Sequence, residues 1–385
     1  MIPEILFLTC MPLTEPKSAS MAFMSVLLAR YPERFVWFST KGEAEPAWNP
    51  HNIPYAVCPS PQRPARLRTL RLVLAYFLWP VFQALRAARF ARRNDCEVVL
   101  ADLAFEAVIS GRLAARFAKL PLLVNVHDDP VSRLRVKGHP VWFLRWYEKQ
   151  FAKTLRAARR VGVISDSMGE VYQQRYGVRT TTLYIGVEKE KCLPARCPDP
   201  TRQPILIASL GSVNSAENWN LLIPAIRRIN SQSGGEKFRI LHIGDLNPTL
   251  ARPPEVEVTG WLPEEDFLRQ LDRADICFLN ASFAPEQAEV GLLSFPLKIH
   301  SFVQTQRPML ALGPSDSAVV RFVLKHQVGE VCCQPDANTL AAAIQALVSD
   351  SDRCQQTLES LAELRESFDR EHFFETFETF TGRDA

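Results

Sequence analysis

The chain has 385 residues, 47% apolar and 23% charged, the composition of a soluble globular protein and the length of two domains. Its nine cysteines are scattered, with no CxxC pair and no Cys/His cluster at zinc spacing, which argues against a zinc module and for a reducing cytosol. The net charge of +3 hides a basic half and an acidic half: residues 1–200 hold 29 Lys+Arg against 17 Asp+Glu, and residues 201–385 hold 16 against 25. This asymmetry fits two domains with different partners, the basic one suited to an anionic surface or lipid head group. No recognition motif accompanies the charge, so nucleic acid is not an expected partner.

The opening "MIPEILFLTCMP" lacks a basic lead and reads as a first strand, not a signal peptide. Apolar runs at 4–9, 34–39, 97–102, 121–127 and 160–165 then alternate with helical patterns such as 104–118 and 140–158. Alternation of this kind predicts a parallel sheet covered by helices. Residues 63–93 hold eight arginines and no acid around an apolar centre of about 14 residues, too short and Pro80-interrupted for a membrane span. Residues 133–160 interleave Trp142, Phe143, Trp146, Tyr147 and Phe151 with basic residues. Both segments read either as core-facing helices with solvated arginines or as an interfacial surface for anionic lipid.

The stretch 188–204, "EKEKCLPARCPDPTRQP", has four prolines and many charges and reads as an interdomain linker. Strand–helix alternation then restarts. Strands are expected at 205–211, 238–245, 256–261, 274–280 and 308–313, and helices near 216–232, 263–272 and 336–350, the last with Asn338 as N-cap. The tail from 352 is helical and ends aromatic. The expected division is 1–187, a linker 188–204, 205–351 and a helical tail 352–385.

The order "PLLVNVHDDP", "AARRVGVISDSMGEVYQQRYG", "LGSVNSAENWNLLIPAI", "IGD", "VTGWL", "ADICFLN" and "PLKIHSFVQTQRPMLA" resembles the GT-B glycosyltransferases, and among them the retaining family 4. The resemblance covers nearly the whole chain. It implies an α/β fold of two Rossmann-like, doubly wound domains facing across a cleft, with a C-terminal helix. It also implies metal-independent, retaining transfer of a sugar, with a nucleotide-sugar as substrate and no cofactor.

Such chemistry needs the leaving diphosphate neutralised, an oxocarbenium-like centre stabilised and the acceptor hydroxyl ordered. His127 and Asp128 follow a buried strand, where ligands of open α/β sheets bind, and the resemblance places His127 against the donor sugar. Gly211 ends the first strand of the second half and lets backbone approach a phosphate, with Ser212 and Asn214 as neutral donors. Lys298, ahead of a helix, is the main cation, with Ser294 beside it. The family usually carries an Arg and a Lys where Ser212 and Glu217 stand, and glutamates where Leu293 and Ser301 stand. Glu289 is a nearby substitute for the first carboxylate, and Ser301 a neutral ribose partner.

Asp350-x-Asp352 resembles a metal-binding DxD but follows a helix and reads as a solvated helix end. His242 in "ILHIGD" reads as a core or donor-wall residue. The expected function is therefore transfer from a nucleotide-sugar to a saccharide or lipid-linked acceptor in polysaccharide or envelope glycan biosynthesis. The expected site of action is the cytoplasm, peripheral on the inner face of the membrane. The lost donor-site residues motivate a non-catalytic scaffold as the alternative, and a nucleotide-sugar epimerase is a third reading.

Overall fold

The computed structural model describes residues 2–15, 19–43, 45–46, 48–59, 74–211, 213 and 215–382. Ser212, Asn214 and the 63–73 part of the arginine-rich segment therefore lie outside the described residues. The chain divides into two compact units. The first is Met1–Tyr184 with Phe373–Ala385, and the second is Ile185–His372.

The first unit holds β1 (Ile5–Thr9), α1 (Ala19–Arg30), β2 (Phe35–Ser39), β3 (Tyr55–Val57), a π-helical turn Leu74–Leu78, α2 (Trp79–Arg93), β4 (Val98–Asp102) and α3 (Ala107–Ala118). It continues with β5 (Leu122–Val126), α4 (Pro130–Val136), α5 (Val141–Ala157), β6 (Arg160–Val163), α6 (Asp166–Tyr176) and β7 (Thr180–Thr182). The strands form one sheet in the order β3-β2-β1-β4-β5-β6-β7, every pairing parallel. β1, β2, β4 and β5 are buried along their whole length. A parallel sheet covered on both faces demands continuous apolar strands, which is why these runs were visible in the sequence.

The second unit holds β8 (Ile205–Leu210), α7 (Ala216–Gln232), β9 (Phe238–Ile243), β10 (Val256–Val258), α8 (Glu264–Asp272), β11 (Ile276–Asn280), α9 (Ala288–Leu293) and α10 (Lys298–Thr305). It ends with β12 (Met309–Leu312), α11 (Ala318–His326), β13 (Gly329–Cys332), α12 (Ala337–Ser349) and α13 (Ser351–Ser367), before α14 (Arg370–Thr381) returns the chain to the first unit. The sheet order is β10-β9-β8-β11-β12-β13, again all parallel. Both sheets thus have the doubly wound order of a Rossmann-like domain.

Two expected boundaries need correction. Residues 188–204 do not stand free as a linker; they are strapped onto the second unit. Lys191 pairs with Glu264 (2.8 Å), Leu193 N–H donates to the Gln304 carbonyl and Arg202 faces Asp275 (3.4 Å). The Arg307 guanidinium, 1% exposed, donates to the carbonyls of Pro194 and Ala274 and pairs with Asp272. The prolines and charges of this stretch serve a fixed strap whose partners lie far along the chain. A disulfide between Cys197 and Cys354 fastens it to α13. That pair departs from the expectation of a reducing cytosol: 157 residues separate its members, so no local spacing betrays it.

The tail 352–385 is likewise divided. α13 belongs to the second unit, while the end of α14 packs into the first. Phe377 is fully buried, and Phe373 and Phe377 meet Phe23 edge-on at 5.4 and 6.4 Å. Arg159 Nη2 donates to the carbonyls of Thr381 and Gly382 at 3.1 and 2.9 Å. At α12 the cap is Asp336, not Asn338: its carboxylate accepts from Thr339 N–H at 2.8 Å. Among the described residues no helix is long and apolar enough to cross a membrane.

Candidate active site

In an open parallel sheet the crevice forms at the carboxyl ends of the strands, where the strand order reverses. Those points lie between β1 and β4 in the first unit and between β8 and β11 in the second.

In the second unit Gly211, Gly244 and Gly313 directly follow β8, β9 and β12, and Gly260 lies two residues beyond β10. Gly211 N–H donates to the Ile243 carbonyl (2.9 Å), and Gly244 bridges to Gly260. Gly211 sits at φ +62° and Gly244 at φ +129°, left-handed values that favour glycine. A Cβ on Gly244 would stand 3.1 Å from Gly211 Cα, so these strand ends approach closely, while the space beside Gly211 is open. The ends of β8 and β9 therefore meet through backbone.

α7 begins at the same point. Ser215 caps it by accepting from Asn218 N–H (3.3 Å), and Asn218 Nδ2 donates to the Ala281 carbonyl (2.6 Å). Glu217, which stands where the family usually carries a cation, turns to the β11 loop. Its Oε1 accepts from Ser282 Oγ (2.5 Å) and Phe283 N–H (2.9 Å), and these donors lower its pKa. Glu217 is thus a structural clamp between α7 and the loop after β11.

Lys298 opens α10 and is half-buried. No carboxylate lies within ion-pair distance of its ammonium among the described residues. Desolvation alone lowers its pKa from 10.5 to about 8. The first amides of α10 contribute less than expected, because Ile299 and His300 N–H already donate to the Pro296 and Leu297 carbonyls. Lys298 and Asp245 bias the proton of His242 in opposite directions, which places all three in one neighbourhood. His242 itself is fully buried on the edge of Trp219, with Nδ1 3.4 Å from Ser209 Oγ, and burial lowers its pKa. It is a wall residue.

Leu293, at the first expected carboxylate position, is a core residue at 1% exposure. Ser301 is half-buried on α10, and its carbonyl accepts from Thr305 Oγ1. Glu289 is half-buried in the first turn of α9, and Ser294 ends that helix with its N–H on the Val290 carbonyl.

In the first unit His127 follows β5 at 7% exposure. Asn125 Nδ2 lies 3.0 Å from His127 Nε2. An amide that donates to Nε2 assigns the imidazole proton to Nδ1. Burial lowers the His127 pKa, against the pull of Asp102 and Asp128, so the ring is neutral near pH 7. Phe23 packs edge-on to it at 4.9 Å. Asp128 is more exposed and pairs with Arg133 at 2.7 Å. Asp129, by contrast, caps α4 through Ser132 N–H (2.7 Å) and accepts from the Tyr172 hydroxyl (2.8 Å).

The sequence reading missed the acids at the β1–β4 switch point. Asp102 is buried at the end of β4 and accepts from Thr9 Oγ1 (3.0 Å) and Ser20 Oγ (2.8 Å). Glu106 is buried one turn on and accepts from Thr40 Oγ1 (3.3 Å). A carboxylate closing the apolar run "EVVLAD" was the available signal. The Asp350-x-Asp352 stretch is a helix end, where Asp350 caps α13 by accepting from Arg353 N–H.

Residues 39–191 match the family described as Glycosyltransferase Family 4. Over 171 residues the chain is 26% identical to the amylovoran biosynthesis glycosyltransferase AmsK of Erwinia amylovora; the match covers 42% of this chain and 40% of AmsK. The whole fold is similar to that of HepE of Anabaena, solved with UDP and with UDP-glucose. With UDP, the TM-score is 0.68 at 16% identity, covering 98% of this chain and 100% of HepE. It is also similar to the lipopolysaccharide outer core galactosyltransferase WaaB, with a TM-score of 0.67 at 13% identity, covering 98% of both chains. The fold is GT-B.

Proposed function

We propose that this chain, with a Family 4 match in its N-terminal half and the GT-B fold along its length, is a glycosyltransferase. It moves a sugar from a nucleotide-sugar to a saccharide or lipid-linked acceptor in the assembly of a polysaccharide or envelope glycan. The observation that carries this reading is Lys298, a half-buried cation with no carboxylate at ion-pair distance among the described residues, in the neighbourhood of the glycines that follow β8 and β9. Holding a charge there is unfavourable unless an anion arrives. A diphosphate is such an anion, and HepE supplies the precedent with UDP.

In the reaction the bond between the anomeric carbon and the β-phosphate oxygen breaks. The acceptor oxygen bonds to that carbon, and its proton passes to an oxygen of the departing diphosphate. Lys298, close to the open space beside Gly211, stabilises the departing diphosphate without a metal. Ser294, Ser301, Ser212 and Asn214 add neutral contacts. His127, neutral with its proton on Nδ1, acts as a hydrogen-bond donor to the sugar and not as a general base at neutral pH. Asp128 is held by Arg133, which leaves it an orienting role. We take the outcome to be retention and the place of action to be the cytoplasmic side of a membrane, peripherally bound.

Calorimetry with UDP and a panel of nucleotide-sugars tests the reading, with product release followed by mass spectrometry. Nucleotide binding at micromolar to millimolar Kd is expected. No binding by any nucleotide or nucleotide-sugar would overturn it in favour of a non-catalytic scaffold. Interconversion of the nucleotide-sugar without an acceptor would favour the epimerase.

A further inference from the structure

The surface of the first unit carries an unusual apolar face. Leu78, which ends the π-helical turn and caps α2, is 62% exposed; Val81, Phe82 and Leu85 on the start of α2 are exposed too, as are Val141 at 63% and Trp142 at 49% on the start of α5. The two helix starts are joined: Phe77 stacks on Trp146 at 3.9 Å, and Tyr76 meets Phe143 and Tyr147 at 5.0 and 5.7 Å. Soluble proteins seldom leave so many large apolar side chains together in water.

Charge follows the same axis on both helices. Beyond its apolar start, α2 exposes Arg86, Arg89, Arg92 and Arg93 and carries no acid. α5 exposes Arg145, Lys149, Lys153 and Arg156 beyond Val141 and Trp142. Its one acid, Glu148, is half-buried and accepts from the Tyr176 hydroxyl. Aromatic and aliphatic tips backed by arginine and lysine match the boundary between acyl chains and anionic head groups.

Topology fixes where this face lies. α2 runs into β4 and α5 into β6, so both helices begin at the carboxyl edge of the sheet. That edge also carries His127, Asp102 and Phe105, and the Tyr147 hydroxyl donates to the Phe105 carbonyl at 2.6 Å.

We infer that the starts of α2 and α5 dock on an anionic bilayer and present the carboxyl edge of the first unit to an acceptor held in that membrane. The acceptor class is therefore a glycan primer on a lipid anchor, recognised at the membrane surface and not from solution. That assignment rests on the glycosyltransferase reading; the docking itself does not.

The test is flotation of the full-length protein with phosphatidylcholine vesicles, with and without about one third phosphatidylglycerol. Wild type should float with the anionic vesicles only, and added salt should release part of it. Leu78→Glu with Trp142→Glu should reduce flotation at least about tenfold. The same variant should keep its circular dichroism and its UDP affinity, with transfer to a vesicle-embedded acceptor lowered through KM. Arg86→Glu with Arg89→Glu should weaken binding to anionic vesicles in a salt-dependent way. Failure of the wild type to float at low salt would overturn the inference. So would a stable dimer by light scattering that the Leu78/Trp142 variant converts to monomer without loss of flotation. If vesicles bind while no nucleotide does, the glycosyltransferase reading fails and the docking stands.

Discussion

Replacing Lys298 by methionine should move stability and function in opposite directions. The substitution keeps most of the aliphatic stem and removes the charge. In the folded chain the ammonium loses its proton near pH 8, against an ordinary 10.5. That gap corresponds to roughly 3 kcal/mol against the charged form, and halving it for a half-buried group leaves roughly 1.5 kcal/mol. The sign follows from proton counting. Between about 8 and 10.5 the unfolded lysine holds its proton and the folded one does not. The free protein therefore gains stability from this group as the pH rises through that window, and bears the full cost at pH 7. Lys298→Met should raise the melting temperature at pH 7 by roughly 2–4 °C per kcal/mol recovered, and the advantage should vanish above pH 10.5. Calorimetric affinity for UDP should fall by roughly 10–100-fold, the worth of a charged hydrogen bond. Wild-type affinity should itself decline as the pH climbs through about 8, where the free protein loses the proton. A variant less stable than wild type at pH 7, or one that binds UDP as tightly, would refute the assignment of Lys298 as the diphosphate cation.

Further outcomes follow from the geometry at three residues. His127→Ala should lower kcat by roughly 10²–10³-fold, as for loss of one preorganised donor, with UDP affinity nearly unchanged. Because burial lowers the His127 pKa, the wild-type rate should hold as the pH falls through 6.5, where an ordinary imidazole would gain its proton. Glu217→Ala should destabilise by roughly 1–2 kcal/mol in denaturant melts, since Ser282 and Phe283 lose their acceptor. Glu217→Lys, which restores a family-like cation, should be no more stable than the alanine variant and should not tighten UDP binding. Phe377→Ala should cost roughly 3–5 kcal/mol by emptying a fully buried site, and hydrogen exchange should show α14 released.

The sequence was most legible where periodicity is strongest. Buried strands such as "VVLAD" and "ILIASL" are apolar on both faces, so they stand out without knowledge of their neighbours. The short strands Tyr55–Val57, Thr180–Thr182 and Gly329–Cys332 did not, because three or four residues at a sheet edge, largely half-buried, carry no period. His127, Gly211 and Lys298 could be proposed from the sequence because strand ends and helix starts are marked locally. Asp102 and Glu106 were not, since their importance depends on Thr9, Ser20 and Thr40, up to 93 residues away.

By itself the sequence determined the two parallel-sheet units and the order of their long, buried strands along the chain. Only the tertiary structure decided which charges are already spent. It gave Glu217 to the β11 loop, Arg133 to Asp128 and the strap 188–204 to the second unit, and it left Lys298 desolvated with no ion-pair partner among the described residues. The physical reason is that periodicity and turn chemistry act between near neighbours, whereas desolvation and ion pairing depend on residues that only the fold brings together.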